Sequence, residues 1–160
     1  RTPDDGQKYE LVDGEILVSP AGMRHSEIGA RILRLLGQAV DRSHAGKVYQ
    51  SDVGIALPTG NIRSPDVCFV RSEELPAGES PEGFGEVIPD LVVEVLSPND
   101  RMRQVADKIG EFLECGVSLV SLGNPKPAPV ASTALSEIQR LTDSTTITAN
   151  RCPECRPRIN

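Results

Sequence analysis

The sequence has few aromatic residues and no long apolar run. Phe, Trp and Tyr make up 3% of the 160 residues, and Trp is absent. This composition argues against the binding of nucleic-acid bases on an aromatic platform. No segment approaches the roughly 18 consecutive apolar residues of a membrane-spanning helix, and no signal-peptide pattern is present. We therefore expect a soluble, cytoplasmic protein without a membrane partner.

Cysteine is scarce as well, with four residues in the chain. Their number and irregular spacing do not suit a disulfide scaffold. Cys68 and Cys115 lie in apolar segments, and we expect them in the core. Cys152 and Cys155 form one Cys-Pro-Glu-Cys motif. This is half of a structural zinc site, and since zinc needs four ligands we do not expect a metal there.

The net charge of −6 disfavours a general nucleic-acid binder, because binding of phosphates needs clustered Lys and Arg. The basic residues are nevertheless grouped along the chain. One group is Arg24, Arg31, Arg34 and Arg42, and another is Arg101, Arg103 and Lys108. An acidic total is thus compatible with a basic groove.

The apolar pattern predicts a mixed α/β domain. Two short apolar runs flank Asp13-Gly14, which predicts a hairpin. Apolar residues at helical spacing predict one amphipathic helix over about 24–41 and another over about 105–113. Further strands are expected near 53–57, 67–70, 91–96 and 117–122. The expected order is a hairpin, a helix, three strands, a helix and a last strand, with the helices flanking a central mixed sheet.

The chain changes character after Gly123. A series of prolines at 125, 127 and 129 interrupts any regular element, and a polar, Thr-rich run follows at 142–150. We therefore place a core domain at residues 1–123 and a divergent, irregular tail at residues 124–160.

One acid, Glu94, interrupts the apolar run 91–96. Burial of its charge in a central strand is costly unless something compensates it. A metal ion and a buried Arg or Lys are equal alternatives, and a third is a sheet edge where Glu94 faces water. Asp66, which follows Pro65 at a strand start, is the natural companion, because two carboxylates on neighbouring strands suit Mg²⁺. The alternative for Asp66 is a turn residue that accepts hydrogen bonds from nearby amides.

Three further residues are weaker candidates. Lys108, on the second predicted helix, has the charge to orient a water molecule or to stabilise a developing phosphorane, and its alternative is a solvated helix face. Glu15 follows the hairpin turn and His25 begins the first helix. Turn and cap roles are the more common alternatives for these two.

Five segments, in order, resemble the Uma2 family of restriction endonuclease-like proteins. They are YELVDGEILVSPAG, RHSEIGARILRLL, SPDVCFV, PDLVVEVLSPNDR and ADKIGEFLECGV. The resemblance covers roughly Tyr9 to Val120, and PDLVVEVLSPNDR is its most specific part. Uma2 proteins resemble the PD-(D/E)xK nuclease superfamily, whose members mostly cleave DNA with Mg²⁺. The resemblance implies a restriction-endonuclease-like core and an endonuclease that acts on DNA with Mg²⁺ or Mn²⁺.

The resemblance also implies roles for individual residues. Pro65-Asp66 matches the PD of the superfamily motif and Glu94 matches its (D/E), so Asp66 and Glu94 would bind the metal. The Lys expected two positions after the acid is missing, because Leu96 stands there. In Uma2-like sequences a Lys on the following helix, in this chain Lys108, takes its place. The further catalytic candidates carried over are Glu15 and His25.

The implied partner is DNA. The expected contacts to its backbone are Arg24, Arg31, Arg101 and Arg103, which give affinity without sequence readout. Nucleases that cut both strands often work as dimers, so a homodimer is included. The missing Lys at position 96 and the acidic total favour an alternative, a catalytically inactive nuclease-fold domain that binds DNA or protein. A purely structural α/β protein with an ion-paired Glu94 is a third.

Downstream of the GV segment the chain departs from the family pattern of an aromatic-rich strand and a hairpin. Our hypothesis is that residues 126–139 are read in a shifted frame. Codons permitted for the segment PKPAPVASTALSE can be chosen so that the adjacent frame reads ETRTCRVYRSVGD, which resembles the missing hairpin.

Overall fold

The computed structural model describes residues 8–18, 22–98 and 100–123, together with Ser136, and only the backbone of residues 119–123. The predicted tail at 124–160, the hypothetical frame shift and the Cys152/Cys155 motif therefore lie outside the described residues, apart from Ser136. The domain boundary at 123 stays a prediction.

Eight strands and two helices occur in this described part. The strands are β1 (Tyr9–Val12), β2 (Glu15–Val18), β3 (Gly46–Gln50), β4 (Ile55–Ala56), β5 (Ile62–Arg63), β6 (Val67–Arg71), β7 (Leu91–Val95) and β8 (Leu119–Gly123). The helices are α1 (Met23–Ser43) and α2 (Met102–Glu114), and two single 3-10 turns, Ser72–Glu74 and Pro76–Gly78, follow β6. Within the described ranges, no helix combines the length and hydropathy needed to cross a lipid bilayer.

The strands form two sheets. The central sheet has the order β3-β6-β7-β8, with antiparallel pairing up to β7 and a parallel β7–β8 pair. The smaller sheet is antiparallel, has the order β2-β1-β5-β4, and carries the predicted hairpin. Both turn residues of that hairpin, Asp13 and Gly14, have positive φ angles of 50° and 84°, as a two-residue turn between twisted strands requires. The expected mixed α/β class with a central mixed sheet is confirmed.

The helices α1 and α2 cover opposite faces of the central sheet, because alternate side chains of β6 and β7 point in opposite directions. The cluster on the α1 side consists of Ile32, Leu36, Val40, Val67, Phe69, Leu91, Val93 and Val95. The cluster on the α2 side consists of Ile55, Leu57, Cys68, Ile88, Val92, Phe112, Cys115 and Val117. Cys68 and Cys115 are buried in the core, as predicted.

The prediction of three strands between the helices is wrong, because five occur. The two missed strands are β3 and β5, and the strand expected at 53–57 is reduced to the two residues of β4. Strand β3 is fixed by pairing along its whole length with β6, from Gly46 opposite Arg71 to Gln50 opposite Val67. Such short strands owe their conformation to partners distant in sequence, so the local pattern gives little sign of them.

Candidate active site

The register of β6 and β7 brings Asp66 and Glu94 together. Cys68 pairs with Val92 and Val67 with Val93, so one more step along this antiparallel register sets Asp66 opposite Glu94. Opposed side chains share a face of the sheet, with Cβ atoms about 4.5–5.5 Å apart. That face is the one covered by α2. The two predicted metal ligands thus lie side by side at one end of the central sheet.

Asp66 is almost fully buried and accepts three hydrogen bonds. Its Oδ1 accepts from Nζ of Lys8 at 2.7 Å, and its Oδ2 accepts from the main-chain N–H of Val95 at 2.7 Å. Nε2 of His25 lies 3.0 Å from the same Oδ2. Burial acts to raise the pKa of Asp66, but His25, Lys8 and Val95 outweigh it and hold the pKa well below its usual range. The hydrogen bond to Asp66 in turn raises the pKa of His25. Asp66 is therefore ionised at neutral pH.

Lys108 links Glu94 to a second carboxylate, Glu10. Its Nζ lies 2.8 Å from Oε1 of Glu94, 2.7 Å from Oε1 of Glu10 and 3.1 Å from the main-chain oxygen of Ser64. These three oxygens surround the ammonium at distances of 3.1 Å or less. Burial alone would lower the pKa of Lys108, but the charges of Glu94 and Glu10 raise it. Lys108 is thus a fixed cation between two acids.

The two acids that share Lys108 are not equally stabilised. Glu10 also accepts the main-chain N–H of Ser64 at 2.9 Å, and its pKa is lowered because Lys108 and Ser64 outweigh the effect of burial. The pKa of Glu94 is raised, first by burial and also by the charge of Asp66, although Lys108 opposes both. Oε1 of Glu94 is inaccessible to water and receives no well-directed hydrogen bond from the described residues, so its 2.8 Å contact with Lys108 is an ion pair only. The negative charge of Glu94 is therefore less well compensated than that of Glu10.

A second group of polar side chains fixes Glu10 from the other side. The guanidinium of Arg63, at the end of β5, lies 3.4 Å from Oε2 of Glu10 and 2.5 Å from Oε2 of Glu111 on α2. Oε1 of Glu111 accepts hydrogen bonds from Thr59 and Asn61, both at 2.6 Å. These contacts tie the small sheet to α2 and hold Glu10 against Lys108.

The structure places four of the five predicted catalytic residues in one cluster. These are Asp66, Glu94, Lys108 and His25, whereas Glu15 lies outside it. Glu15 is exposed on β2 opposite Val12, next to the hairpin turn, while Glu10 is paired further from the turn, with Leu17. The backbone-contact candidates Arg24, Arg31, Arg101 and Arg103 are all exposed, and Arg103 pairs with Asp107 at 4.0 Å. Their contact with DNA stays a prediction.

Sequence reasoning missed Lys8, Glu10 and Arg63. Lys8 and Glu10 alternate with apolar residues at the start of the hairpin, so they lie on one face of it. That alternation was the available signal, but the segment was interpreted only as an apolar strand. Arg63 lies in β5, which the pattern did not reveal.

The donor set of Asp66 and Glu94 fits a hard divalent cation. Mg²⁺ is typically held by one or two carboxylates, with water and substrate oxygens completing its shell. The buried Oε1 of Glu94, which lacks a directed hydrogen bond, is an oxygen that a cation would satisfy. Across the described ranges, no three or more His, Cys, Asp or Glu side chains form a metal-binding group, so the site does not offer an all-protein cage. A cavity of about 460 Å³ lies elsewhere, between α1 and β3.

Comparisons with known proteins agree with this architecture. Residues 1–149 match the family described as "Uma2: Putative restriction endonuclease". A crystal structure described as "a putative nuclease belonging to DUF820 from Anabaena variabilis ATCC 29413" is similar, with a TM-score of 0.66 and 21% identity. That likeness covers 73% of this chain and 66% of the other, slightly less than two thirds of its length, and at this identity it shows a shared fold. No curated protein matches the chain. The predicted resemblance is confirmed, and the chain belongs to the Uma2 family of restriction endonuclease-like proteins.

Proposed function

We propose that this chain is a Mg²⁺-dependent endonuclease that hydrolyses phosphodiester bonds in DNA, with Asp66 and Glu94 as the metal ligands. The observation that carries the proposal is the position of these two acids. They face each other across β6 and β7, and Glu94 is buried with incomplete compensation of its charge. Membership of a restriction endonuclease-like family supports the same chemistry.

Each residue of the cluster has a defined part in this proposal. Bound Mg²⁺ would polarise the scissile phosphate and acidify a water molecule. Hydrogen bonds from His25 and Val95 hold Oδ2 of Asp66, which leaves Oδ1 as its ligand atom. Lys108 fixes Glu94 and Glu10. This differs from the role inferred from sequence, because the ammonium lies within 3.1 Å of three protein oxygens and holds the two acids in place.

The exposed arginines complete the proposal. Arg24 lies next to His25 in α1, and Arg101 directly precedes α2, the helix that carries Lys108. Both arginine side chains are exposed. With Arg31 and Arg103 they are the proposed contacts to the DNA backbone, a role in which charge matters and base identity does not.

Calorimetry with Mg²⁺ and Mn²⁺ tests the metal site directly. Binding by the wild type that is lost in Asp66→Asn and Glu94→Gln, but kept in Glu15→Gln, is the expected result. Glu15 is the control, since it is an exposed acid on β2 that lies outside the cluster. Metal binding that survives both cluster substitutions rules the site out.

Plasmid nicking tests the reaction. We expect Mg²⁺-dependent nicking by the wild type and by Glu15→Gln, and none by Glu94→Gln.

A second candidate is a catalytically inactive domain that binds DNA. It is favoured by the internal cations that already contact every acid of the cluster: Lys8 and His25 at Asp66, and Lys108 at Glu10 and Glu94. DNA binding in EDTA without nicking in Mg²⁺ would identify that second function.

A further inference from the structure

The ammonium of Lys8 lies on the Asp66 oxygen that the proposed metal would use. Nζ of Lys8 is 2.7 Å from Oδ1 of Asp66, and the two side chains are 18% and 5% exposed. The other oxygen, Oδ2, already accepts from Val95 and His25. Oδ1 is therefore the oxygen through which Asp66 can accept an external cation, and the ammonium of Lys8 occupies that position.

Lys8 also lies close enough to act on the other two carboxylates of the cluster. Asp66, which it contacts, lies opposite Glu94 in the register of β6 and β7, and Lys108 joins Glu94 to Glu10. The ammonium of Lys8 therefore occupies the region where the negative potentials of the three acids add together. A divalent cation would be attracted to the same region, and two cations on one carboxylate oxygen repel each other.

The two lysines of the cluster differ in how firmly they are held. Lys108 has three oxygens within 3.1 Å and lies on a helix packed on the sheet. Lys8 precedes the first residue of β1, is partly exposed, and has one acceptor among the residues that the structure describes. As far as the described residues are concerned, Lys8 is held by one contact and Lys108 by three.

We propose that Lys8 is an internal place-holder for the divalent cation. It occupies Oδ1 of Asp66 in the metal-free protein and is displaced when the cation binds. This inference rests on the proposed metal site at Asp66 and Glu94. It adds that the affinity for the cation is set by competition with an ammonium of the same chain.

Metal affinity of a Lys8→Met variant tests the competition. Methionine keeps the length of the side chain and removes its charge, so Mn²⁺ and Mg²⁺ should bind about tenfold more tightly than to wild type, the effect of one adjacent charge on a carboxylate. Lys47→Met is the matched control. It removes a lysine of the edge strand β3 whose partner is the exposed Glu79. Its metal affinity should equal that of wild type. Circular dichroism verifies that both variants fold.

A chemical readout that needs no substitution examines displacement in the wild type. Modification of lysine amines, mapped by mass spectrometry, should be faster at Lys8 with saturating Mg²⁺ than in EDTA, relative to Lys47. Equal or weaker metal binding by Lys8→Met, or a Lys8 reactivity unchanged by metal, overturns the place-holder. If the wild type binds metal and Asp66→Asn does not, either of these two results overturns the place-holder role of Lys8 and leaves the proposed metal site intact. If neither the wild type nor Lys8→Met binds metal, the proposed function fails with it.

Discussion

The ammonium nitrogen of Lys108 and Oε1 of Glu94 lie 2.8 Å apart, in side chains that are each only 13% exposed. The same ammonium also contacts Glu10, so one cation serves two carboxylates in a site nearly closed to water. Removal of either partner of a buried ion pair leaves an uncompensated charge, which costs far more than the pair itself contributes.

Lys108→Met should therefore destabilise the protein by about 3–5 kcal/mol, because it leaves Glu10 and Glu94 without their shared cation. Urea denaturation measures the loss. The double variant Lys108→Met/Glu94→Gln should recover part of it, since one of the two stranded charges is then removed. Free energies of the two single variants that simply add in the double variant would contradict the coupling.

Glu10→Gln and Glu15→Gln should differ sharply, although both residues lie in the same hairpin. Glu10 contacts Lys108, Ser64 and Arg63, so its loss of charge should destabilise the fold by about 2 kcal/mol. Glu15 is exposed, and its substitution should change stability by less than about 0.5 kcal/mol. Thermal unfolding of the two variants side by side decides this. Equal losses of stability in the two variants would contradict the assignment of Glu10 to the cluster and of Glu15 to the exposed surface.

Glu111 should make stability depend on pH in the acid range. Burial acts to raise its pKa, but hydrogen bonds from Thr59, Arg63 and Asn61 outweigh burial and lower the pKa below its ordinary value of 4.5. A lowered pKa in the folded state stabilises the protein above pH 4.5, and this contribution disappears as the pH falls through the folded-state value. The wild type should thus exceed Glu111→Gln in unfolding free energy at pH 7, and the difference should shrink below pH 4.5. A difference that stays constant from pH 7 to pH 3 would exclude this role.

Gly46→Ala should disrupt the edge of the central sheet. A Cβ at Gly46 would lie 2.0 Å from the main-chain oxygen of Val70, so β3 cannot keep its register with β6. We expect Gly46→Ala to lower the free energy of unfolding by about 1–3 kcal/mol. Gly37→Ala is the matched control, because a Cβ there meets no atom within 4 Å apart from its chain neighbours and the nearby backbone of its own helix, and alanine favours the helix by about 0.5–1 kcal/mol. The first variant should melt lower than wild type and the second slightly higher, as differential scanning calorimetry can verify.

The larger elements were predictable from sequence because their signals are local. Helices α1 and α2 follow apolar spacing, and the hairpin follows Asp13-Gly14. Glu94 was conspicuous because a lone acid in an apolar strand needs a physical reason. Lys108 and His25 were weaker candidates that the family resemblance strengthened, and the structure places both beside the two acids.

The remaining features depend on pairing between distant segments. Strand β5 is two residues long and exists because Ile62 pairs with both Leu11 and Ala56. Glu15 was chosen because it follows the hairpin turn and because of the family resemblance, and Glu10 was passed over. Both are single acids in an apolar hairpin, so the local pattern does not distinguish them. Their difference lies in which one reaches α2, and that depends on the docking of the small sheet, to which Arg63 and Glu111 contribute.

The cluster draws its charges from segments that are far apart along the chain, with Lys8 and Glu10 near one end of the described residues and Lys108 near the other. A ribosome adds about 5–20 residues per second, so several seconds separate the synthesis of the first pair from that of α2. During this interval Glu10 lacks the cation that fixes it. A nascent chain thus carries only part of this charged cluster until translation has passed the second helix.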